Sequence, residues 1–128
     1  MPLRIVRLGS KRHPQEGLRL GTVRRPPRGV PKTGYAARDF YDVWLPDLAP
    51  TEALLKSAQD AEIGRAWSAF ERAFLAEMRE PAASRLLDLI AALSHRTNLS
   101  VGCYCASEDR CHRSVLRKLL KKRGADIA

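Results

Sequence analysis

The sequence predicts a small layered α/β fold of the Rossmann-like type, in which helices pack on a short, mostly parallel sheet. Two observations lead to this prediction. Strand-like apolar segments lie near both ends of the chain, and amphipathic helical segments occupy its middle and its C-terminal part. With 128 residues the chain is long enough to bury a hydrophobic core, and we expect one domain over residues 1–128.

The N-terminal third begins with two predicted strands. The first, LRIVRLG at residues 3–9, is apolar and ends at a glycine. The second is expected over Leu18–Arg25, after a polar loop. Residues 26–31, PPRGVP, cannot form regular structure because proline fixes φ, so they predict a stiff turn that carries Arg28. Residues 32–50 are expected to be irregular.

Three helices are predicted in the middle of the chain. Thr51 is a candidate N-cap for a short helix at Glu52–Ala58. Apolar residues then recur at steps of three and four, which predicts an amphipathic helix over residues 62–79. Pro81 suits the first turn of a further apolar helix at 82–95. The apolar positions of the 62–79 helix are Ile63, Trp67, Phe70, Phe74 and Met78.

The C-terminal region predicts a strand, a loop and a helix. Leu99–Cys105 alternates apolar residues as a strand does, residues 106–111 are polar, and Ser114–Lys122 forms a final amphipathic helix. In open α/β sheets, ligands bind at the carboxyl ends of strands, beside helix N-termini. The sequence therefore places a candidate ligand site between this strand and this helix.

The formal net charge of +9 is unevenly distributed. Residues 1–32 hold nine Lys or Arg against one acid, and residues 99–128 hold seven against three, whereas residues 33–98 hold seven against ten. If the two ends meet in the fold, they form one basic face that attracts nucleic acid or anionic small molecules. The alternative is that the excess charge mainly confers solubility.

Several classes of protein are disfavoured by composition. No apolar run approaches the ~18–20 residues of a membrane span, and the first residues do not resemble a secretory signal. Three cysteines cannot pair completely, which argues against a disulfide scaffold. We expect a cytoplasmic protein with no membrane partner.

The three cysteines lie within nine residues, at Cys103, Cys105 and Cys111, and His112 follows directly. A thiol at a helix N-terminus beside arginines is favoured as the thiolate, the reactive and metal-binding form. The same amides and arginines would bind a phosphate, a sulfate or a carboxylate. The alternative is that the cysteines are small buried hydrophobic residues.

The spacing of the cysteines excludes two known kinds of thiol site and leaves a third open. A phosphatase loop needs Cys-x5-Arg, but the sixth residue after Cys103 is Asp109. A haem attachment site needs Cys-x-x-Cys-His, which the segment also lacks. A zinc site is possible from Cys103, Cys105, Cys111 and His112, although this is not the usual zinc-knuckle spacing. No other cofactor is expected.

The leading hypothesis is an anion-binding site with thiol chemistry, either redox or sulfur or acyl transfer. Cys111 would be the nucleophile or redox thiol and His112 the proton shuttle, with Cys105 as a further catalytic thiol. Basic and hydroxyl side chains from both ends of the chain would hold the anion, namely Arg24, Arg28, Arg113 and Ser114. The alternatives are a nucleic-acid-associated module that uses the basic ends, and a zinc-stabilised structural or interaction domain.

The pattern Cys-Tyr-Cys followed by Cys111-His112-Arg113-Ser-Val-Leu resembles the C-terminal signature of the domain-of-unknown-function 488 (DUF488) family, part of which is called YeaO-like. Three other segments agree with it: Arg24 with Pro27-Arg28-Gly29-Val30, Trp44-Leu-Pro-Asp47-Leu48-Ala49-Pro50, and Trp67 with Phe70 and Phe74. The resemblance covers about residues 3–122. It implies a compact α/β domain of the bacterial and archaeal cytosol, and no particular reaction.

The resemblance also places individual residues. Val23 and Pro26 stand where the family turn often has an acid and a tryptophan. In the YeaO-like branch the cysteines are replaced, so the resemblance does not imply one thiol reaction for the whole family. The residues that coincide with the family signatures are Arg24, Arg28, Gly29, Asp47, Pro50, Cys111, His112 and Arg113.

Overall fold

A computed structural model describes residues 3–59, 65–105, 108 and 111–128. Four strands and four helices are observed there, which confirms the predicted α/β layered fold. No helix within these ranges is both long and apolar enough to cross a membrane. The strands are β1 (Leu3–Arg7), β2 (Leu18–Gly21), β3 (Val43–Trp44) and β4 (Leu99–Cys103), and the helices are α1 (Glu52–Gln59), α2 (Arg65–Glu77), α3 (Pro81–Leu93) and α4 (His112–Lys122).

The four strands form one fully parallel sheet in the order β1-β4-β2-β3. The central strand β4 pairs with two neighbours, so that Leu99 lies opposite both Leu3 and Leu18. All five residues of β4 are buried. Because the strands are parallel, their carboxyl ends meet at one edge of the sheet, and Cys103 lies at that edge.

Helices α2, α3 and α4 pack on one face of the sheet. Their apolar stripes and alternate strand residues form one continuous core, as the periodicity of the helical segments predicts. The fully or almost fully buried members include Leu3, Leu48, Phe74, Leu87, Leu99, Val101, Val115, Leu116 and Leu120.

The opposite face of the sheet is covered by loops that a buried ion pair anchors. Arg19 is fully buried and donates from Nε and Nη2 to the two carboxylate oxygens of Glu16, at 2.6 and 2.8 Å. Its Nη1 donates to the carbonyls of Ser10 and Asp39, and Ser100 on β4 donates to Glu16 at 2.9 Å. Burial alone would raise the pKa of Glu16, but the hydrogen bonds from Arg19 and Ser100 lower it.

Two glycines allow the covering side chains to lie directly on the strands. A Cβ atom at Gly102 would lie 2.8 Å from a methyl carbon of Leu8, and one at Gly21 would overlap the ring of Tyr41. Leu8 and Tyr41 belong to a second apolar cluster that also holds Cys103 and Cys111. The absence of side chains at these glycines therefore shapes the surroundings of the thiols.

The predicted strands extend further than the observed ones. The strand expected over Leu18–Arg25 ends at Gly21, because Arg24 turns away to bind the backbone of a later segment. The strand expected over Leu99–Cys105 ends at Cys103, where the Cys105 amide donates to the Cys103 sulfur.

The segment 32–50 is more ordered than the sequence predicts. It contains β3 and two 3-10 turns, at Lys32–Gly34 and Pro46–Leu48. Strand β3 has only two residues, which is too short for an alternation of apolar and polar side chains to be recognised.

The predicted helices are observed with shifted ends. The helix expected at 62–79 is observed over Arg65–Glu77, and its residues 62–64 lie outside the described part of the chain. The helix expected at 82–95 begins at Pro81 and ends at Leu93. The final helix begins at His112 rather than at Ser114, because Cys111 caps it.

Replacing Glu16 with Gln leaves the buried charge of Arg19 without its counter-ion and keeps the shape of the side chain. We expect Glu16→Gln to lower the free energy of unfolding by about 3 kcal/mol, since breaking a buried ion pair from one side is strongly destabilising. Urea denaturation followed by circular dichroism measures the change.

Glu52 offers a matched control, because it pairs with Arg25 at 2.9 Å on the exposed surface. Glu52→Gln should hardly move the urea midpoint. The difference between wild type and Glu16→Gln should also shrink as the pH falls below 4.5, the ordinary pKa of this carboxyl group, because the folded-state pKa of Glu16 is lowered. Equal losses in the two variants would show that the buried network contributes no more than a surface pair.

Candidate thiol site at the carboxyl edge of the sheet

The three cysteines and His112 come together at the junction of β4 and α4. Cys103 is the last residue of β4, and Cys111 is the N-cap of α4, where its sulfur accepts a hydrogen bond from the Arg113 amide at 3.5 Å. A sulfur atom thus occupies the position that Ser, Thr, Asp or Asn usually takes. Because β4 is held on both sides, the site is fixed to the rigid part of the sheet.

Two of the three thiols are in direct contact. Cys103 and Cys111 are buried, and their sulfur atoms lie 3.1 Å apart. Cys105 is exposed, and its backbone amide donates to the Cys103 sulfur at 3.3 Å. All three cysteines are free thiols. The structure therefore shows a buried dithiol with an exposed third thiol beside it.

The negative charge of this cluster is favoured on Cys111. Hydrogen bonds from Cys103 and Cys105 lower the pKa of Cys111, and His112 lowers it further. The pKa of Cys103 is raised by its hydrogen bonds with Cys105 and Cys111 and by burial. For Cys105, the hydrogen bond with Cys103 lowers the pKa, but the hydrogen bond with Cys111 and burial raise it, and the net shift is upward. These shifts favour the thiolate at Cys111 and the protonated thiol at Cys103.

His112 is oriented by a backbone carbonyl on the neighbouring strand segment. Its Nε2 lies 2.6 Å from the carbonyl oxygen of Thr22, so Nε2 carries the proton and donates it. The other ring nitrogen, Nδ1, lies 3.9 Å from the Cys111 sulfur. The ring of Phe74 packs against the imidazole edge to face. Nδ1 therefore faces the thiol cluster and can exchange a proton with it.

Cys103, Cys111 and His112 also have the arrangement of a metal centre. One donor atom from each lies within 4.8 Å of the other two, and all three residues are buried. Thiolate sulfur and imidazole nitrogen are the ligands that Zn²⁺ prefers. Three of the four ligands predicted from sequence are thus brought together, and Cys105 lies next to them.

Arg113 lies beside the thiols and is incompletely hydrogen-bonded. It is 3% exposed, and its Nη2 donates to the Cys105 carbonyl at 2.7 Å. Its Nε is buried and has no hydrogen-bond partner in the described part of the chain. The hydroxyl of Ser114 donates to the Cys111 carbonyl, within the first turn of α4. Arg113 therefore keeps a donor that a bound anion could use, whereas Ser114 is occupied.

A cleft of about 630 Å³ opens onto Cys103, Cys105 and His112, whereas Cys111 and Arg113 are not among its lining residues. Of the residues predicted from sequence, Arg24 lines it, although its Nε and Nη2 already donate to the carbonyls of Pro46, Ala49 and Pro50. Arg28 is exposed on the proline-rich turn and does not line the cleft. The lining residues are Val23, Arg24, Arg25, Pro50, Glu52, Ala53, Leu55, Lys56, Cys103, Tyr104, Cys105 and His112.

Sequence reasoning missed the charged residues at the mouth of this cleft. Arg25 pairs with Glu52 on α1, and Tyr104 donates to the Arg25 carbonyl at 2.8 Å. Lys56 follows Glu52 by four residues and therefore lies on the same helix face. That spacing was available in the sequence, but nothing there showed that α1 lies beside the cysteines. The anion-binding roles of Arg24, Arg28, Arg113 and Ser114 stay predictions.

The exposure of the thiols predicts how they react with a bulky reagent. Cys105 is exposed whereas Cys103 and Cys111 are buried, so a bulky polyethylene-glycol maleimide should label the native protein at Cys105 and not at the other two cysteines. A gel-shift assay counts the labels in native buffer and in urea. We expect a single label in the native state and labelling of every cysteine in urea. Cys105→Ser should abolish the native label, and a label that persists would contradict the described burial.

Comparison with curated proteins gives no match, and neither does comparison with solved structures. A protein-family model, DUF488-N3a, described as the active DUF488-N3 subclade, matches residues 3–124. The match spans β1 to the end of α4 and includes the three cysteines, His112 and Arg113. It agrees with the resemblance found in the sequence motifs, and it is the whole fold rather than one motif that is matched. The chain therefore belongs to the DUF488 family, within its DUF488-N3a group.

Proposed function

We propose that this protein is an enzyme of thiol–disulfide exchange that acts on a small anionic disulfide bound in the cleft. The observation that carries the proposal is the distance of 3.1 Å between the sulfur atoms of Cys103 and Cys111. A second thiol in contact with a thiolate is what a dithiol exchange reaction requires. Acyl transfer needs one nucleophilic thiol and would give the second thiol no part.

The exchange proceeds in two steps. The Cys111 thiolate, whose sulfur lies 3.1 Å from that of the cleft-lining Cys103, attacks one sulfur of the substrate disulfide. The substrate S–S bond breaks, and the first substrate thiolate leaves and takes a proton from the solvent. Cys103 then transfers its proton to Nδ1 of His112 and attacks the Cys111 sulfur, which releases the second substrate thiolate. His112 returns the proton to that thiolate. The protein dithiol is oxidised to a disulfide by two electrons, and the substrate disulfide is reduced to two thiols.

The charges around the cleft support an anionic substrate. Arg25 and Lys56 are at its mouth, with Glu52 as the one acid among the lining residues. Arg113 does not line the cleft, but its Nη2 donates to the carbonyl of the cleft-lining Cys105, so its positive charge lies next to the cleft. A carboxylate on the substrate would accept hydrogen bonds from such donors at short distance. The family description names an active subclade, which agrees with an enzyme but specifies no reaction.

Glutathione disulfide, a small disulfide that carries carboxylates, provides the test. The reduced protein should release two glutathione molecules and form a disulfide between Cys103 and Cys111, which peptide mapping by mass spectrometry identifies. Cys103→Ser should stop after the first step, with one glutathione bound to Cys111. Cys105→Ser should still form the internal disulfide. Glutathione bound only to Cys105 in the wild-type protein would overturn the proposal.

An uncharged disulfide separates anion binding from general thiol reactivity. Hydroxyethyl disulfide offers the same S–S bond without carboxylates, and we expect it to react at least about tenfold more slowly at equal concentration. Lys56→Gln should reduce this preference by slowing the reaction with glutathione disulfide alone. Equal rates for the two disulfides would show that the cleft does not select anions.

A zinc-stabilised domain is a second candidate, and the orientation of His112 favours it. A metal-bound histidine usually donates its other ring N–H to a carbonyl or a carboxylate, as Nε2 does to Thr22. Elemental analysis of protein purified without chelators distinguishes the two candidates. About one zinc per chain, lost in Cys111→Ser together with thermal stability, would establish the metal centre. Metal-free protein with unchanged stability would favour thiol exchange.

A further inference from the structure

A second cavity lies away from the thiol cleft, at the edge of the sheet formed by β1. It has a volume of about 310 Å³ and shares no lining residue with the cleft. Arg4 of β1, Lys11 and His13 of the following loop, and Arg117 of α4 all line it. The two basic ends of the chain therefore meet here, because β1 pairs with β4 and α4 follows β4.

Arg4 gives this cavity a buried hydrogen-bond donor that has no acceptor among the described residues. Its side chain is partly buried, and its Nε atom is shielded from solvent without a hydrogen-bond partner in the described ranges. A buried N–H of a cation that lacks an acceptor costs free energy, and an oxygen atom of a bound anion would remove that cost. Arg4 therefore lines the cavity with one N–H group that has no acceptor among the described residues.

Glu16 is the one acidic side chain among the described residues that line the cavity, and its charge is already used by Arg19. Both of its carboxylate oxygens accept hydrogen bonds from Arg19, and Ser100 donates to one of them. Arg117 is held by Glu108 through two hydrogen bonds, at 2.6 and 2.8 Å. That pair fixes the direction of the guanidinium and compensates one charge.

The remaining donors suit a tetrahedral oxyanion. The Gln15 amide donates to Nδ1 of His13, so the proton of the neutral ring is on Nε2. Arg4 offers a planar fork of N–H groups and Lys11 a mobile ammonium group, and both side chains are common phosphate ligands. Lys121 follows Arg117 by four residues, so it continues the basic face along α4.

We propose that the cavity formed by Arg4, Lys11, His13 and Arg117 is a binding site for a phosphate group. The phosphate can come from two sources, a free phosphate compound or the backbone of a single-stranded nucleic acid. In either case Arg4 and Lys11 supply the charge that the cavity does not neutralise, and Arg117 supplies a fixed donor. The site is independent of the thiol reaction, since none of its residues lines the cleft.

Two measurements test the site and separate the sources. Titration calorimetry measures the binding of inorganic phosphate, and fluorescence anisotropy of a labelled oligonucleotide, at several salt concentrations, measures the binding of nucleic acid. We expect Arg4→Gln to weaken binding by about tenfold, as expected for the loss of a charge-assisted hydrogen bond. Lys11→Gln should also weaken phosphate or oligonucleotide binding. Because Lys11 is on an exposed loop, this variant keeps the test valid if Arg4→Gln does not fold.

The outcomes distinguish the sources. If the oligonucleotide binds more tightly than phosphate, and Arg4→Gln lowers the slope of log K against log salt by about one, the source is nucleic acid. If phosphate binds and the oligonucleotide does not, the source is a free phosphate compound. Either result, with the weakening by Arg4→Gln, supports the site.

Two charge-matched controls make the proposal refutable. Arg85 is exposed on α3 and lines neither cavity, so Arg85→Gln removes the same charge from another surface. Lys56→Gln removes a charge from the thiol cleft. Equal weakening by Arg85→Gln and Arg4→Gln would reduce the binding to net charge. Weakening by Lys56→Gln alone would place the anion in the cleft, and no binding of either probe to the wild-type protein would also overturn the proposal.

Discussion

Because β4 runs parallel to both of its neighbours and is buried along its whole length, its carboxyl end cannot move independently of the sheet. The chain leaves the sheet after Cys103 and must begin α4 within a short loop, which brings Cys111 back to the same edge. His112 then meets the carbonyl of Thr22, directly after the strand on the other side. The geometry of the thiols is thus a property of the sheet, and a site mounted on rigid strands keeps its distances.

The parts of the fold that depend on local patterns could be predicted from the sequence, and those that depend on pairing could not. The spacing of Phe70 and Phe74 within an apolar stripe predicts a helix because one face must be buried, and α2 is found there. The crowding of three cysteines predicts a thiol cluster, and two of the sulfur atoms are in contact. The two-residue strand β3 leaves no pattern. The contact of His112 with Thr22 uses a backbone carbonyl, which every residue has, so no residue type indicates it in advance.

Two buried arginines show how the same residue type serves two purposes. Arg19 donates from all three of its nitrogen groups, to one carboxylate and two carbonyls, and thereby joins two loops to the sheet. Arg113 is almost as buried, but among the described residues its side chain makes one hydrogen bond, to the Cys105 carbonyl, and its Nε has no partner. The first is fully satisfied without any other molecule. The second is positioned at a thiol cluster with unused hydrogen-bonding capacity, which is how preorganised binding sites differ from structural ion pairs.

The topology of the sheet has a consequence for the order in which the chain acquires its structure. Strand β1 pairs with β4 at Leu3 and Leu99, and the side chain of Ser100 reaches Glu16 across 84 positions of sequence. During synthesis, β1 and β2 are complete long before their shared partner is made, and they have no direct contact with each other in the sheet order. Contacts of this kind close large loops and slow folding. Until β4 emerges, β1 therefore has no strand partner, and β2 can pair only with the two-residue strand β3. Strand edges that stay unpaired during synthesis favour aggregation.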